Sequence, residues 1–304
     1  MAKKSEFKGQ ISDVDLRMLR IYKVVVECGG FSAAEVELNI SRAAISIAMS
    51  DLETRLGFRL CQRGRSGFSL TEEGQQIYNY TLQLLSSIED FRTQVNTLHT
   101  QLKGELNIGI TDNLVTMPKM LITNALSELK QQGPEVVINI RMIPPNDIEL
   151  GVLDGRLHVG IVPTLRALAG LNYYPLYEER SRLYCSHNHP LFDVDDSEID
   201  VSEWDAVVPA YAQTALVKAC HQQLKATATA TDREGIAFLI LTGQYIGYLP
   251  AHLANQWVNA GRMRAIDPDT FHYETDFSVI TRKGARSNLV LETYLEHQIG
   301  RAHV

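Results

Sequence analysis

Cysteine is scarce in this 304-residue chain, and the four cysteines have no regular spacing. Cys28, Cys61, Cys185 and Cys220 form neither a CxxC pair nor the framework of a small secreted domain, which excludes the common cysteine-rich zinc and disulfide folds. Apolar runs are short as well, since none approaches the roughly 20 residues that cross a bilayer. The lysines near the start are not followed by the apolar core of a signal peptide. We therefore expect a cytoplasmic protein with a disordered arm over residues 1–12.

Catalytic motifs are also lacking. The sequence contains neither HExxH nor GxxxxGK, and the run from Gly64 to Gly67 is not a GxSxG nucleophile elbow. His187 and His189 lack the framework of cysteines or carboxylates that a metal site requires. A redox pair of Cys185 and Cys220 is one alternative, although free cysteine is more commonly a buried apolar side chain. We predict no enzyme activity, no metal and no cofactor.

Charge divides the chain into two parts. Up to residue 65 there are 11 Lys or Arg and 8 Asp or Glu, a net charge of +3. The remaining residues hold 18 Lys or Arg and 28 Asp or Glu, a net charge of −10. Because phosphate binding needs a basic surface, this distribution favours nucleic-acid contact by the first part only and excludes a nonspecific, histone-like binder.

Residues 30–60 have the pattern of two helices joined by a tight turn. Ser32 and Glu35 are spaced as a capping box, which predicts a helix that ends at Asn39 and Ile40. A second helix is predicted to begin near Ser41, with one apolar stripe at helical spacing. The stripe comprises Ala44, Ile45, Ala48, Met49, Leu52 and Leu56.

The opposite face of the second helix is suited to the major groove of DNA. It carries Arg42, Ala43, Ser46, Ile47 and Ser50, behind the helix start at Ser41. Short side chains allow close approach to the bases, while Arg42 can pair with guanine and Ile47 can contact a thymine methyl. Phosphates would meet the helix start. An ordinary antiparallel helix pair in a larger helical fold is the alternative at this point.

Residues 61–71 have the pattern of a β-hairpin with basic residues at its tip. Glycines at positions 64 and 67 flank the turn, and Arg63 and Arg65 lie on either side of Gly64. Such a wing would place both arginines, with Thr71 at its end, against the DNA backbone or minor groove. A solvated hairpin with incidental arginines is the alternative.

Residues 72–102 predict one long helix, since the stretch has no proline and only Gly74, near its start. Thr71 is a candidate N-cap. The apolar positions follow a heptad seam, which favours pairing with a partner helix over about 45 Å and therefore a dimer. The seam comprises Ile77, Leu84, Ile88, Phe91, Val95, Leu98 and Leu102. A helix packed on its own domain is the alternative.

From residue 103 onwards, short apolar runs alternate with helical segments, which is typical of an α/β fold. The first set of predicted strands covers residues 106–110, 136–142 and 158–162, with helices near 118–130 and 147–153. The second set covers strands at 182–185, 206–208, 226–231 and 245–249, with helices near 213–224 and 233–242. A strand at 275–281 and a helix at 289–297 return to the first set. We predict two Rossmann-like lobes with a cleft between them.

The N-terminal pattern resembles that of LysR-type transcriptional regulators. The matching positions are Leu16, Phe31, Ala33, Ala34, Leu38, Ser41, Ala44, Ser46, Leu52, Glu53, Leu56, Gly57, Leu60, Arg63, Leu70, Thr71 and Gly74. The chain departs from the family at Arg42 and Ala43, where glutamine and proline or serine are usual, and at Cys61, where an aromatic residue is usual. Segments 175–180, 189–191 and 247–250 are similar to LysR-type effector domains, which resemble periplasmic binding proteins.

The resemblance implies a domain order. An all-α winged helix-turn-helix domain over residues 13–71 follows the arm and precedes the linker helix of 72–102. The effector-binding domain covers 103–304, with lobe 1 at about 103–163 and 269–304 and lobe 2 at about 164–268.

The resemblance also implies that three loops border the effector cleft. They contribute Thr111, Asp112 and Asn113, then Pro209, Ala210 and Tyr211, and finally Gly243, Gln244 and Tyr245. In open α/β lobes, ligands bind at the carboxyl ends of strands. The two tyrosines favour a partly flat or aromatic effector, whereas Asp112 disfavours a carboxylate pointing at it.

We therefore predict a homodimeric or homotetrameric transcriptional regulator. It would bind an interrupted inverted repeat in double-stranded operator DNA, respond to a small-molecule effector and contact RNA polymerase. The alternative is an enzyme or a solute-binding protein that uses the two-lobe fold behind an unrelated helical N-terminus.

Overall fold

The computed structural model describes residues 10–64, 67–97, 102–285 and 288–300. The chain divides into two compact units, Met1–Glu89 and Asp90–Val304, and the boundary falls within the long helix. None of the helices in the described ranges combines the length and the apolar content needed to span a bilayer.

The first unit begins with three helices around one core. They are α1 (Asp13–Glu27), α2 (Phe31–Leu38) and α3 (Arg42–Leu56). A capping box is present, but it is at α1, where Ser12 and Asp15 cap each other. The box predicted at Ser32 and Glu35 is wrong, because α2 already begins at Phe31 after Gly30 and has no side-chain cap.

Helix α3 has the predicted start and a narrower buried stripe than predicted. The Ser41 side chain accepts a hydrogen bond from the Ala44 backbone N–H at 3.3 Å, which makes Ser41 the N-cap. Ile45, Met49 and Leu52 are buried in the core of the unit. Ala44 was predicted to share this stripe but is exposed, because it lies in the first turn of α3 and outside the packed part of the helix.

The predicted hairpin is present as strands β1 (Cys61–Gly64) and β2 (Gly67–Leu70), which pair antiparallel. Helix α4 (Glu72–Thr97) follows. The Thr71 hydroxyl accepts a hydrogen bond from the Gly74 N–H at 2.9 Å and donates one to the Arg59 carbonyl at 2.8 Å. Thr71 therefore caps α4, as predicted, and joins its start to the segment before β1.

The second unit contains a mixed sheet of nine strands in the described part of the chain. Its strands are β3 (Glu105–Ile110), β4 (Val137–Met142), β5 (Val159–Pro163), β6 (Leu171–Ser186), β7 (Asp205–Pro209), β8 (Lys225–Ala230), β9 (Ile246–Pro250), β10 (Met263–Ala265) and β11 (His272–Arg282). The helices are α5 (Leu121–Gln132), α6 (Pro145–Leu153), α7 (Ala215–Gln222), α8 (Arg233–Leu241), α9 (Ala251–Asn259) and α10 (Leu289–Ile299).

Two long antiparallel strands, β6 and β11, join the two lobes of this unit. Strand β3 pairs parallel with β4 and β5 in lobe 1, and β7 pairs parallel with β8 and β9 in lobe 2. The sheet order is β4-β3-β5-β11-β6-β9-β7-β8, with β10 on β6. The carboxyl ends of the parallel strands in both lobes thus border one cleft.

Two features of this unit differ from the sequence prediction. The strand predicted at 182–185 is the last part of the 16-residue strand β6. Its first part contains Pro175 and a charged run, which breaks the apolar pattern, but it pairs along β11. Helix α9 was not predicted, because it starts directly after β9 without a polar spacer.

We expect Gly74→Ala to destabilise the first unit. A Cβ at position 74 would overlap the backbone carbonyl of Leu60, and the Gly74 carbonyl accepts a buried hydrogen bond from the Tyr22 hydroxyl at 2.7 Å. Overpacking of this kind costs about 1–3 kcal/mol. Urea unfolding and hydrogen exchange of α1 measure the effect. Gln75→Ala, at the exposed neighbour, is the control. Equal stability of both variants would show that Leu60 moves aside freely.

Candidate functional site

One face of α3 is exposed. Arg42, Ala43, Ile47 and Ser50 are exposed, with Ile47 at 63%, and Ser46 is half-buried. The predicted reading face is therefore accessible.

Polar contacts at the other end of α3 fix its position. Arg55 Nε lies 3.1 Å from Oδ1 of Asp15, a residue that is itself buried at the start of α1. The Ser12 backbone N–H and the Arg55 side chain lower the pKa of Asp15, so this carboxylate is ionised at neutral pH. Glu53 accepts a hydrogen bond from the Leu60 N–H at 2.8 Å and so joins α3 to the hairpin.

The hairpin arginines are only partly described. Arg63 pairs with Phe68 in the ladder between β1 and β2, whereas its side chain and residue Arg65 lie outside the described residues. Thr71 is half-buried, and its hydroxyl is used in the cap of α4. Of the predicted DNA-binding residues, Thr71 thus has an observed structural role.

The predicted seam of α4 is largely uncovered. Ile77, Leu84 and Ile88 are half-buried, and Phe91 and Val95 are exposed. Leu98 lies outside the described residues. Leu102 does not belong to the seam, because it follows the helix and packs against Gly133 and the core of lobe 1.

A groove in the first unit runs beside the first half of this seam. Its volume is about 480 Å3, and α1, α3 and α4 all contribute to its walls. The apolar lining comprises Leu19, Leu52, Leu56, Phe58, Ile77 and Leu84. The groove and the seam share Ile77 and Leu84, so they form one continuous apolar surface.

A second candidate site is the cleft between the lobes of the second unit. A cavity of about 240 Å3 lies at the carboxyl ends of the strands, with Thr111 after β3, Tyr211 after β7 and Arg233 at the start of α8 in its lining. A smaller cavity of about 50 Å3 also contains Tyr211 and Arg233 in its wall. Burial raises the pKa of Tyr211 to about 12, so its phenol remains a hydrogen-bond donor at neutral pH.

A network of charged and polar groups crosses the cleft. Arg233 Nη1 lies 3.3 Å from Asp112 Oδ1, and Nη2 lies 3.0 Å from Glu179 Oε1. Glu179 Oε2 is 2.9 Å from His252 Nε2, and His252 Nδ1 is 2.6 Å from the Thr116 hydroxyl. Asp112 and Thr116 come from lobe 1, whereas Arg233 and His252 come from lobe 2.

The structure brings two of the three predicted effector loops to the cleft. Thr111, Asp112 and Tyr211 line the larger cavity. Asn113 donates to Asp112 Oδ2 at 2.8 Å and so supports its neighbour. Pro209 ends β7, and the next residue, Ala210, donates its N–H to the Ala230 carbonyl at 2.8 Å.

The third loop lies elsewhere. Gly243, Gln244 and Tyr245 precede β9, at its amino end, and none of them lines either described cavity of the cleft. Gly243 adjoins Asn188, and Tyr245 packs against the core of lobe 2. Since ligands bind at the carboxyl ends of strands, the residues expected at the cleft are those after β9, where His252 lies.

Sequence reasoning missed Arg233, Glu179 and His252. The signal for Arg233 was available, because it is the first residue of a helix that follows a predicted strand. Glu179 lies in the part of β6 whose strand character was hidden. His252 belongs to the unpredicted helix α9.

Cys185 and His189 were also considered from the sequence and lie in packed surroundings, whereas His187 is exposed. Cys185 is fully buried, and burial raises the pKa of its thiol to about 11. His189 is buried, its Nδ1 accepts the Leu191 N–H at 3.1 Å, and desolvation lowers its pKa. Among the described residues, no group of three or more His, Cys, Asp or Glu side chains gathers as metal ligands would.

Comparison with known proteins identifies both units. Residues 16–75 match the model for the bacterial regulatory helix-turn-helix protein, lysR family, and residues 99–298 match the LysR substrate binding domain. The chain is 59% identical over 291 residues to the HTH-type transcriptional activator BauR of Pseudomonas aeruginosa, with 95% of each chain covered.

Solved structures show the same fold. The LysR family regulator CbnR superposes with a TM-score of 0.68 at 17% identity, over 93% of this chain and 97% of that one. Full-length CbnR in complex with its target DNA gives a TM-score of 0.67 at 19% identity, over 93% and 98%.

Proposed function

The chain belongs to the LysR family of bacterial transcriptional regulators, which are not enzymes, and from this premise we propose that it is a ligand-responsive activator. In this proposal it acts in the cytoplasm as a dimer or a dimer of dimers and binds an interrupted inverted repeat. The name of the 59% identical relative, a transcriptional activator, supports activation rather than repression.

The observation that carries the proposal is the exposed face of α3. Its start at Ser41 directs free backbone N–H groups outwards, which suits a phosphate. Arg42 would donate two hydrogen bonds to a guanine, and Ile47, which is 63% exposed, would contact a thymine methyl. The short side chains of Ala43, Ser46 and Ser50 leave room for the base edges.

We expect Ser46→Glu to abolish specific DNA binding. The new carboxylate would face base edges and phosphates at the centre of the reading face, at a cost of about 2–3 kcal/mol or roughly 100-fold in affinity. Fluorescence anisotropy with promoter fragments identified by footprinting measures the loss. Ser87→Glu adds the same charge at an exposed position of α4 and is the matched control. Unchanged affinity of Ser46→Glu would exclude this face as the reading surface.

The apolar seam of α4 and the adjoining groove support self-association through a second copy of the chain. Phe91 is 68% exposed and Val95 is 37% exposed. The groove of about 480 Å3 in the first unit is a further apolar surface, and exposed apolar patches of this kind mark interaction sites. A second copy presents an identical seam, so that one symmetric interface covers both.

We expect Ile88→Glu to convert the dimer to a monomer, because it places a carboxylate in the middle of the apolar seam. Analytical ultracentrifugation over a concentration series measures the change. Ser87→Glu, one residue away at an exposed position, should leave the dimer intact. A dimer in both variants would locate the interface elsewhere.

The inter-lobe cleft is the proposed effector site. A cavity of about 240 Å3 favours a small metabolite. Thr111 is 3% exposed and belongs to the cavity wall, and its buried hydroxyl oxygen has no hydrogen-bond partner among the described residues. A buried polar group without a partner is rare, and a ligand would supply one here.

We expect a thermal-shift screen of metabolites to find a ligand whose effect depends on Thr111 and Tyr211. At about 100 times its dissociation constant, such a ligand adds roughly 2.7 kcal/mol of stability. Thr111→Val and Tyr211→Ala should reduce the shift while changing operator affinity in the absence of ligand less than about threefold. Gln244→Ala, outside the cleft, is the control. A ligand whose shift survives both cleft changes would contradict the assignment.

A further inference from the structure

The start of α8 forms an anion site that the chain itself occupies. The backbone N–H of Arg233 donates to Asp112 Oδ2 at 2.8 Å, while its Nη1 lies 3.3 Å from Oδ1 and donates to the Asp112 carbonyl at 2.8 Å. Both carboxylate oxygens therefore face the positive groups at this helix end. A guanidinium beside the first amide of a helix is an arrangement that proteins use to bind carboxylates and phosphates.

The two partners differ in their freedom to move. The Arg233 side chain is 11% exposed, and its Nη2 atom pairs with Glu179, whose side chain is 2% exposed. The Asp112 side chain is 34% exposed and lies at the edge of the cavity. If the Arg233 side chain moved away, the buried Glu179 carboxylate would lose the positive charge that compensates it. The Asp112 side chain, in contrast, can turn towards water. If this ion pair opens, Asp112 is the partner that leaves.

The cavity next to this pair offers one more donor. Thr111 precedes Asp112, and its buried hydroxyl has no hydrogen-bond partner in the part of the chain that the structure describes. A carboxylate bound to Arg233 could accept a hydrogen bond from this hydroxyl as well. The charge balance also matters, because the Arg233 guanidinium already pairs with Asp112 and Glu179, and Asp232 lines the same cavity. An additional anion would be repelled unless one of these carboxylates withdrew.

We propose that Asp112 is an internal substitute for the carboxylate of the effector. The effector is then a small organic acid whose carboxylate displaces Asp112 from Arg233 and the first amide of α8 and accepts a hydrogen bond from Thr111. This inference rests on the proposed effector role of the cleft. The displacement breaks a direct tie between the lobes, because Asp112 belongs to lobe 1 and Arg233 to lobe 2, and thereby links ligand binding to lobe geometry.

The test uses sodium propionate as the probe and the full-length protein. Asp112→Asn keeps the size of the side chain but removes the competing charge, so it should bind propionate at least about tenfold more tightly than the wild type in isothermal titration calorimetry. Asp112→Asn combined with Thr111→Val should lose most of this gain. Propylammonium chloride at the same ionic strength should bind no better to Asp112→Asn than to the wild type.

Three results would overturn the inference. They are equal propionate affinity in the wild type and Asp112→Asn, weaker binding by Asp112→Asn, and an equal gain for sodium chloride, which would indicate a generic anion site. Asp112→Ser, which also removes the charge, replaces Asp112→Asn if circular dichroism shows that the latter is misfolded.

The experiment separates this inference from the proposed function. Operator binding is measured in parallel on the same preparations. Suppose that operator binding is intact and that the metabolite found binds through Thr111 and Tyr211 but carries no carboxylate. This result would support the proposed function and contradict the inference. Absence of operator binding by the wild type contradicts the proposed function itself.

Discussion

A buried guanidinium must be paired, and Arg233 imposes this constraint on the effector-binding unit. Its two carboxylate partners, Asp112 and Glu179, lie 121 and 54 residues away in the sequence. The loop after β3, the middle of β6 and the start of α8 are consequently positioned by one charge. Glu179 extends the same network to His252 and Thr116. The polar network that joins the two lobes therefore centres on Arg233, which lines the cavity.

The first unit has a different requirement, since α3 must be held in position while one of its faces stays exposed to solvent. The polar contacts that hold α3 lie in its second half, where Glu53 accepts a hydrogen bond from the Leu60 N–H and Arg55 pairs with Asp15. Its buried side chains, such as Ile45 and Met49, alternate with the exposed ones along the helix. The first half thus combines buried positions such as Ile45 with the exposed positions Arg42, Ala43 and Ile47.

Local patterns in the sequence predicted local structure well. The Ser41 cap, the hairpin at residues 61–70, the Thr71 cap and most strands of the second unit were predicted correctly, because each depends on neighbouring residues. The errors concern competition between such signals. Ser32 and Glu35 have capping-box spacing, but α2 starts two residues earlier, at Phe31, which packs against the core.

The candidate site was harder to predict than the fold, for a physical reason. Thr111 and Tyr211 followed from the rule that ligands bind at the carboxyl ends of strands. The partners of Arg233 did not, because pairing over such sequence distances depends on the strand order and not on any local pattern. Asp112 was interpreted as an obstacle to a carboxylate ligand. Its ion pair with Arg233 refines that interpretation, since Asp112 occupies the groups that a carboxylate ligand would need.

A ligand alters a regulator only if it interacts differently with two states of the protein. Exchange of one carboxylate for another on Arg233 meets this requirement without leaving a buried charge unpaired, which would be strongly unfavourable. The two states differ in how the lobes are connected, because Asp112 is part of lobe 1 whereas an effector is not. The side-chain tether between the lobes is lost, while the hydrogen bond from Arg233 Nη1 to the Asp112 carbonyl and the contact between His252 and Thr116 remain. Couplings of about 1–3 kcal/mol are typical of regulatory proteins, and the loss of a single partly exposed tether is an event of that scale.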